Sequence, residues 1–380
     1  MKKYIFLIIL IFLTTSCTYK EINDLAIANA IGIDYENKEY TITLQIMDLN
    51  SGNNEEENQA TRTSLIYVGT GKTIPSAIRN ITLKYPNTIY LGHLELMVIG
   101  QGVIENDIEE TFDYFMRSPE ARTEALLVVS NDNKAKNILN TNDEKSESFP
   151  AKDIITTIEN SNQRNGKITE IVMEDFVATN KEKGIDPIVP TIVTSKNPNE
   201  DYKNTKLIGM SIFKNNKLQE VLEDEPIIAY NLINNNFSDI IVNTTYENEN
   251  IATVLINPKN SIKINIKNNK PEININIKTD SYLVDVNKKL RLITDQELTK
   301  IQENLNQTIK EYIISLINYS KKTNTDILGI KNKIYKHYPK KYNQYKNKNI
   351  YEISNININT KTKLFRYGNS NTSNYGGNNE

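Results

Sequence analysis

The chain of 380 residues predicts an α+β protein of more than one domain, mixing α/β units with antiparallel and mixed sheets. Three observations carry that reading. The first half alternates short apolar strands with amphipathic helices, the pattern of a mixed α/β unit. The second half is dominated by strands in which Ile262, Ile264 and Ile266, then Ile273, Ile275 and Ile277, alternate with polar residues. A long apolar stripe at helical spacing follows them, and one further strand closes the chain. The length exceeds one ordinary core and suggests two or three domains.

In order, residues 25–33 read as an apolar strand closed by Asp34. Asn37-Lys38 turns it into a second strand in which Tyr40, Ile42, Leu44 and Ile46 share one face. Residues 51–62, with Glu55, Glu56 and Glu57, read as a solvated loop. An acidic cation site would need a rigid turn that this stretch lacks. Residues 64–68 form a short strand, and Gly69-Thr70-Gly71 reads as a turn. Thr73 caps a helix with Pro75 in its first turn and Ile74, Ile78 and Ile81 on one face; Pro86 ends it. Residues 93–99 are a strand. Asp107 caps a helix bearing Ile108, Phe112 and Phe115. Residues 123–130 are a buried strand and 133–139 a short helix. After the polar stretch 140–148, residues 151–160 and 169–181 read as helices. Pro187 and Pro190 accompany an extended segment, 188–193.

Residues 195–205, rich in Lys, Asn and Asp, read as the linker between a domain over 17–195 and a domain over 205–368 that is free to subdivide. Beyond it, 207–213 and 218–222 form a hairpin about Asn215-Asn216. Residues 227–233 fit helix and strand equally. Residues 240–242 and 251–256 are strands, and the two isoleucine strands form a hairpin about Asn268-Asn269. Asp295 caps a helix to residue 322, with Leu298, Ile301, Leu305, Tyr312, Leu316 and Tyr319 along one stripe. The stripe suits packing on the domain's own sheet, or a partner helix. Asp326 starts a second helix that Pro339 ends. Residues 349–360 return as a strand with Ile356 and Ile358 on one face. The Gly, Asn and Ser tail over 369–380 offers no core residue and is expected to be disordered.

The N-terminus has its own logic. Met1-Lys2-Lys3 is positive, residues 4–13 are apolar, and Thr14-Thr15-Ser16 is small and polar before Cys17. That three-part order is a secretory signal over 1–16. Ten residues span only about 15 Å as a helix, half a bilayer core, so they anchor poorly. The stretch resembles a bacterial lipoprotein signal, in which the cysteine is lipidated and becomes the new N-terminus. Cys17 is the one cysteine in the chain, so no internal disulfide exists and cohesion must come from packing. A lone cysteine is elsewhere a small buried hydrophobe, which its place behind an apolar leader argues against. Lipoprotein signals usually carry Leu three residues before the cysteine; here Thr14 stands there and Leu13 lies one further back.

Composition excludes several classes. Removal of Lys2 and Lys3 takes the formal charge from −2 to −4, which offers no basic stripe for nucleic acid and no polybasic membrane contact. No later stretch approaches the roughly 20 apolar residues of a spanning helix. The two histidines, His93 and His337, form no His-Glu-x-x-His pair, so zinc has no framework. No nucleophile elbow is present. Gly69-Thr70-Gly71-Lys72-Thr73 ends like a phosphate loop without its upstream glycine. Glu109-Glu110 and Glu223-Asp224-Glu225 are carboxylates on polar surface, not a cleft pair with separated pKa values. His93, between Gly92 and an apolar strand, reads as a hydrogen-bonded structural histidine, with a proton-sensing or ligand-binding role as the alternative. Tyr335, Tyr338, Tyr342 and Tyr345 interleave with Lys336, Lys340, Lys341 and Lys346, as an inward-packing helix end or a surface patch. The residues therefore nominate no catalytic group, cofactor or metal.

A longer pattern is visible. Behind Cys17 stand Glu21-Ile22-Asn23-Asp24-Leu25-Ala26 and Ala30-Ile31-Gly32-Ile33-Asp34. Then come Gly71-Lys72-Thr73-Ile74, Leu91-Gly92-His93-Leu94 and Phe115-Met116-Arg117-Ser118-Pro119-Glu120. Pro187-Ile188-Val189-Pro190, Gly209-Met210-Ser211-Ile212-Phe213-Lys214, Thr325-Asp326-Ile327-Leu328-Gly329 and Lys336-His337-Tyr338-Pro339-Lys340 follow. In this order they resemble the C subunit of bacterial spore germinant receptors, the Ger(x)C lipoprotein family, over residues 17 to 368. Thr18-Tyr19 replaces the family's frequent Trp-Asp, a tryptophan near the last helix is missing, and Ser211 is the small residue before the Ile-Phe-Lys ending. The resemblance implies three small α/β domains, acylation (palmitate) at Cys17, and no catalysis or cofactor. It implies a place on the outer face of the spore's inner membrane. It also implies assembly with two integral-membrane subunits, A and B, one similar to amino-acid transporters. A scaffold or coupling role follows. The alternative is a solute-binding envelope lipoprotein that captures a nutrient itself; an envelope hydrolase lacks an assembled nucleophile and base.

Overall fold

The structure is a computed structural model that describes residues 25–47, 64–106, 108–132, 134–141, 150–196, 203–285 and 294–365. The signal, Cys17, the acidic stretch 51–62, Asp107 and the tail 369–380 lie outside the described residues, as does most of the polar stretch 140–148.

The first half is built on one mixed sheet. Strand β1 (Leu25–Glu36) turns through Asn37 and Lys38, at φ 53° and 64°, into antiparallel β2 (Glu39–Met47). Both turn residues are left-handed, as a two-residue hairpin with matched twist requires. Strand β3 (Ser64–Gly71) pairs with β2 on its far side. Gly69, Thr70 and Gly71 are thus not a turn but the end of β3, paired to Ile42, Thr41 and Tyr40. Their smallness serves close approach. A Cβ on Gly69 would collide with the Ala77 carbonyl oxygen of helix α1 (Ile74–Ile81), which lies against the strand. Thr73 does cap α1: its Oγ1 accepts from Ser76 N at 3.3 Å, and Ser76 Oγ accepts from Thr73 N at 3.1 Å.

On its other edge β1 begins a parallel run. β5 (Leu96–Ile99), β6 (Leu126–Ser130) and β7 (Ile188–Lys196) follow side by side, and short β4 (Thr88–Tyr90) pairs with the start of β1. β8 (Lys203–Lys214) and β9 (Lys217–Leu222) complete the sheet antiparallel, giving the order β3-β2-β1-β5-β6-β7-β8-β9. The stretch 195–205, read as a linker, therefore joins two neighbouring strands of one sheet. Its ends pair Lys196 with Lys203.

Buried parallel strands need cover on both faces. One face packs against α1, α2 (Gln101–Asn106), α3 (Ile108–Arg117) and α6 (Met173–Lys181), through Ile81, Val103, Phe112 and Phe176. The opposite face packs against α4 (Ala135–Leu139) and α5 (Pro150–Asn160), through Ile138, Leu139, Ile154 and Ile158. The helix read over 169–181 starts only at Met173, because Val172 is extended and bridges to Leu126 of β6.

The second half hangs on β13 (Lys270–Asp285). β12 (Ser261–Lys267) and β11 (Glu249–Ile256) pair with its two ends, β10 (Ile240–Tyr246) with β11, and β14 (Asn355–Phe365) runs parallel along its other edge. The isoleucine hairpin is in register, Ile262 opposite Ile275 and Ile264 opposite Ile273, about Asn268 and Asn269 at φ 50° and 57°. Ile273, Ile275 and Ile277 are buried. Helix α8 (Asp295–Thr323) joins the same core through Ile301, Leu305, Ile309, Ile313 and Leu316, so its stripe is taken up within the chain. Its cap is Thr294, one residue before Asp295, in a capping box with Glu297.

Residues 225–234 resolve as helix α7 (Glu225–Asn234). Ile227, Ile228, Ala229, Leu232 and Ile233 are all buried, which erased the one-sided stripe that marks a surface helix. Helix α9 (Ile330–His337) starts four residues after Asp326, and Pro339 opens α10 (Pro339–Tyr345) instead of ending a helix. A turn, α11 (Ile350–Ile353), precedes β14. Two sheets thus organise the described residues, where the resemblance implies three small domains. One apolar core runs from Ala30, Val98 and Val128 of the first sheet, through Leu232 of α7, to Ile275 of the second sheet and Leu305 of α8.

Candidate functional site

Where the two halves meet lies the most buried carboxylate among the described residues. After α6 the loop carries Gly184, at φ 78°, and Asp186 before entering β7. After α8 the chain carries Asp326 and Gly329, at φ 62°, before entering α9. Positive φ favours glycine at both positions. Both glycines also sit against the other half: a Cβ on Gly184 would meet Lys331, and one on Gly329 would meet Ile185.

The two segments exchange backbone hydrogen bonds like short strands. Asp186 N donates to Asp326 O at 3.1 Å, and Asn332 N donates to Gly184 O at 2.8 Å. Asn332 Nδ2 adds a bond to Lys183 O at 2.9 Å. Asp326 N in turn donates to Asp186 Oδ2 at 2.6 Å. Asp326 is 1% exposed. Its Oδ1 accepts from Ile330 N and from the Tyr351 hydroxyl, both at 2.9 Å, and its Oδ2 accepts from Lys331 N at 2.7 Å. A buried carboxylate is tolerable only when so fully bonded. It also meets the free N–H groups and positive end of α9.

Burial pushes the Asp326 carboxyl above the ordinary carboxylate range, against the pull of the Lys331 and Ile330 amides and the Tyr351 hydroxyl. Burial raises Asp186 as well, opposed by the Asp326 amide and the charges of Lys331 and Lys214. The Tyr351 hydroxyl is held well above its usual value by burial and by the Asp326 carboxylate. Tyr351 therefore stays a proton donor to Asp326 at any physiological pH.

A second polar junction joins the halves around Asn231. Asn231 of α7, fully buried, donates to Gly166 O and Ile168 O at 2.9 Å each and accepts from Thr169 Oγ1 at 2.7 Å. Ser238 N and Asp239 N donate to Gln163 O at 3.2 and 3.0 Å. Through these two clasps the halves are joined by directional bonds as well as by apolar contact.

The residues singled out by sequence fall elsewhere. Cys17 lies outside the described residues. His93 is exposed, with its ring edge-on to Tyr90 at 5.8 Å, and it makes no hydrogen bond among the described residues. His337 is exposed at the end of α9. Glu109 and Glu110 are exposed in the first turn of α3, and Asp224 pairs with Lys167 at 2.8 Å on the surface. The tyrosine cluster divides. Tyr345 Oη donates to Asn269 O at 3.0 Å and Tyr338 Oη to Ile264 O at 3.3 Å, clamping the β12–β13 hairpin. Tyr335 and Tyr342 instead pair edge-to-face at 5.0 Å on the outer side. The described residues contain no group of His, Cys, Asp and Glu able to hold a metal ion. Sequence reasoning missed the Asp186–Asp326 clasp. Its local signs were a glycine two residues before Asp186 and another three residues after Asp326.

Residues 18–194 match the family model described as the spore germination protein N-terminal domain, and residues 208–368 match the one described as spore germination B3/GerAC like, C-terminal. YfkR of Bacillus subtilis (strain 168) is 26% identical over 346 residues, spanning 88% of each chain. Spore germination protein KC of the same organism is 24% identical over 348 residues, 86% of this chain and 85% of that one. The crystal structure of the GerBC protein superposes with a TM-score of 0.55 at 17% identity, covering 88% of this chain and 96% of that one. At that identity the likeness establishes a shared fold.

Proposed function

This chain belongs to the Ger(x)C family of spore germination proteins, and from that premise we propose that it is the lipid-anchored C subunit of a nutrient germinant receptor. The observation that carries the proposal is one of position. The family match begins at residue 18, directly behind Cys17 and the apolar leader. The acylated Cys17 would then be the first residue of the mature chain and its tie to the outer face of the spore's inner membrane. No helix among the described residues is long and apolar enough to cross a membrane, so none of those helices supplies such a tie.

Physically, one acyl chain holds a protein only marginally, while two give stable attachment. Confinement to the surface raises the effective concentration of the folded part near its partners. Those partners are two integral-membrane subunits, one of them transporter-like. The role is to hold and couple, not to catalyse. The two buried clasps support it, because a coupling subunit must carry displacement from one half to the other without a free joint between them.

Mass spectrometry of the protein from spore membranes tests the anchor. The expected N-terminal peptide begins at Cys17 and carries acyl mass. An unmodified peptide that retains residues 1–16 would overturn the assignment.

A further inference from the structure

A cleft of about 470 Å³ opens beside the Asp186–Asp326 clasp, between the loop after α6 and the segments that carry α9 and α10. Its lining is strongly cationic. Lys183, Lys214, Lys331, Lys346 and Lys348 face it, against Glu182 and Asp186. Both acids are already engaged, Glu182 by Lys336 at 3.3 Å and Asp186 by the Asp326 amide at 2.6 Å.

The lysines differ in how they are held. Lys214 donates to the Asn324 carbonyl, and Lys183 lies 5.2 Å over the ring of Tyr335. Lys346 and Lys348 are exposed, and their ammonium groups have no hydrogen-bond partner among the described residues. Lys331 is the unusual one. It is only 9% exposed, yet its ammonium makes no hydrogen bond among the described residues. The charges of Asp186 and Asp326 reach it, but neither carboxylate accepts from it. Its stem is buried while its ammonium opens onto the cleft, with three donors available to an anion there.

We propose that this cleft binds a phosphoryl anion, with Lys331 at its floor and Lys346 and Lys348 at its rim. Ammonium groups are compact point charges suited to a phosphate, whereas planar carboxylates are best matched by the fork of an arginine. No arginine lines the cleft among the described residues. Tyr342, also on the lining, adds a neutral donor. The volume suits a small ligand or a headgroup. A phosphate there would touch both halves of the chain at once, because Lys331 belongs to the second half and Lys183 and Lys214 to the first. The inference goes beyond the anchoring role, and its failure would leave that role standing.

Titration calorimetry of the full chain in detergent, at low ionic strength, tests it with two probes, inorganic phosphate and short-chain phosphatidic acid below its micelle concentration. One saturable site is expected, weakened at least about tenfold by Lys331→Gln and severalfold by the exposed pair Lys346→Gln and Lys348→Gln, and weakened by added salt. Tighter binding of the lipid would make a headgroup the source; tighter binding of inorganic phosphate would make it a soluble anion. If Lys331→Gln does not fold, the rim pair decides. No saturable heat with either probe, or binding undiminished by the rim substitutions, overturns the proposal.

Discussion

Asp186 and Asp326, 140 residues apart in sequence, hold each other's backbone: Asp326 N meets Asp186 Oδ2 at 2.6 Å, and Asp186 N meets Asp326 O at 3.1 Å. Each aspartate thus closes the segment of the other half, and this pairing turns two sequence segments into one body.

Removing the Asp186 carboxylate leaves the buried Asp326 amide without its acceptor. Asp186→Ala is expected to cost about 1–3 kcal/mol, read as a lower midpoint in urea unfolding. An unchanged midpoint would mean that the clasp contributes nothing to cohesion.

The raised Asp326 carboxyl fixes a sign for pH. Its folded value lies above its ordinary 3.8, so proton binding favours the folded state. Its contribution therefore falls as pH rises through that window and is least favourable above the folded value. Relative to Asp326→Asn, the wild type should gain stability as pH falls from neutral toward the carboxyl's ordinary 3.8. Denaturant unfolding of both at matched pH measures this, and a relative loss on acidification would contradict it.

The Asn231 clasp predicts a second, separate loss. Asn231→Ala strands the Gly166 and Ile168 carbonyls and the Thr169 hydroxyl in the core. A cost of about 1–3 kcal/mol is expected. Because the two clasps share no partner, the cost should add to that of Asp186→Ala within about 0.5 kcal/mol, checked by the double variant.

Local chemistry made much of the fold legible. The strict alternation at Ile262–Ile266 and Ile273–Ile277 gave strand, face and hairpin together, because a period of two permits one burial pattern and Asn-Asn tolerates the turn. Thr73 with Pro75 marked the start of α1 for a similar reason. Failures came where a partner distant in sequence decides. Gly69 and Gly71 looked like a turn, but α1 presses on them from outside the strand. The polar run 195–205 falls between the two matched family regions, which end at residue 194 and begin at 208; that β7 and β8 pair on either side of it is a relation only the sheet shows. Asp326 looked like an ordinary cap. Nothing next to it in sequence announces Asp186 or Tyr351. The proposed membrane tie is of another kind: it is argued from the sequence around Cys17 and from no packing contact.

The central claim is that Cys17 ties the folded body to membrane partners and that this tie is needed for signalling. Nutrient-triggered germination of spores carrying Cys17→Ala, followed beside the membrane content of the protein, tests it most directly. The account predicts that the variant leaves the membrane fraction and that germination through this receptor slows by at least about tenfold, the loss expected when effective concentration is removed. Normal germination with the protein gone from the membrane would contradict it.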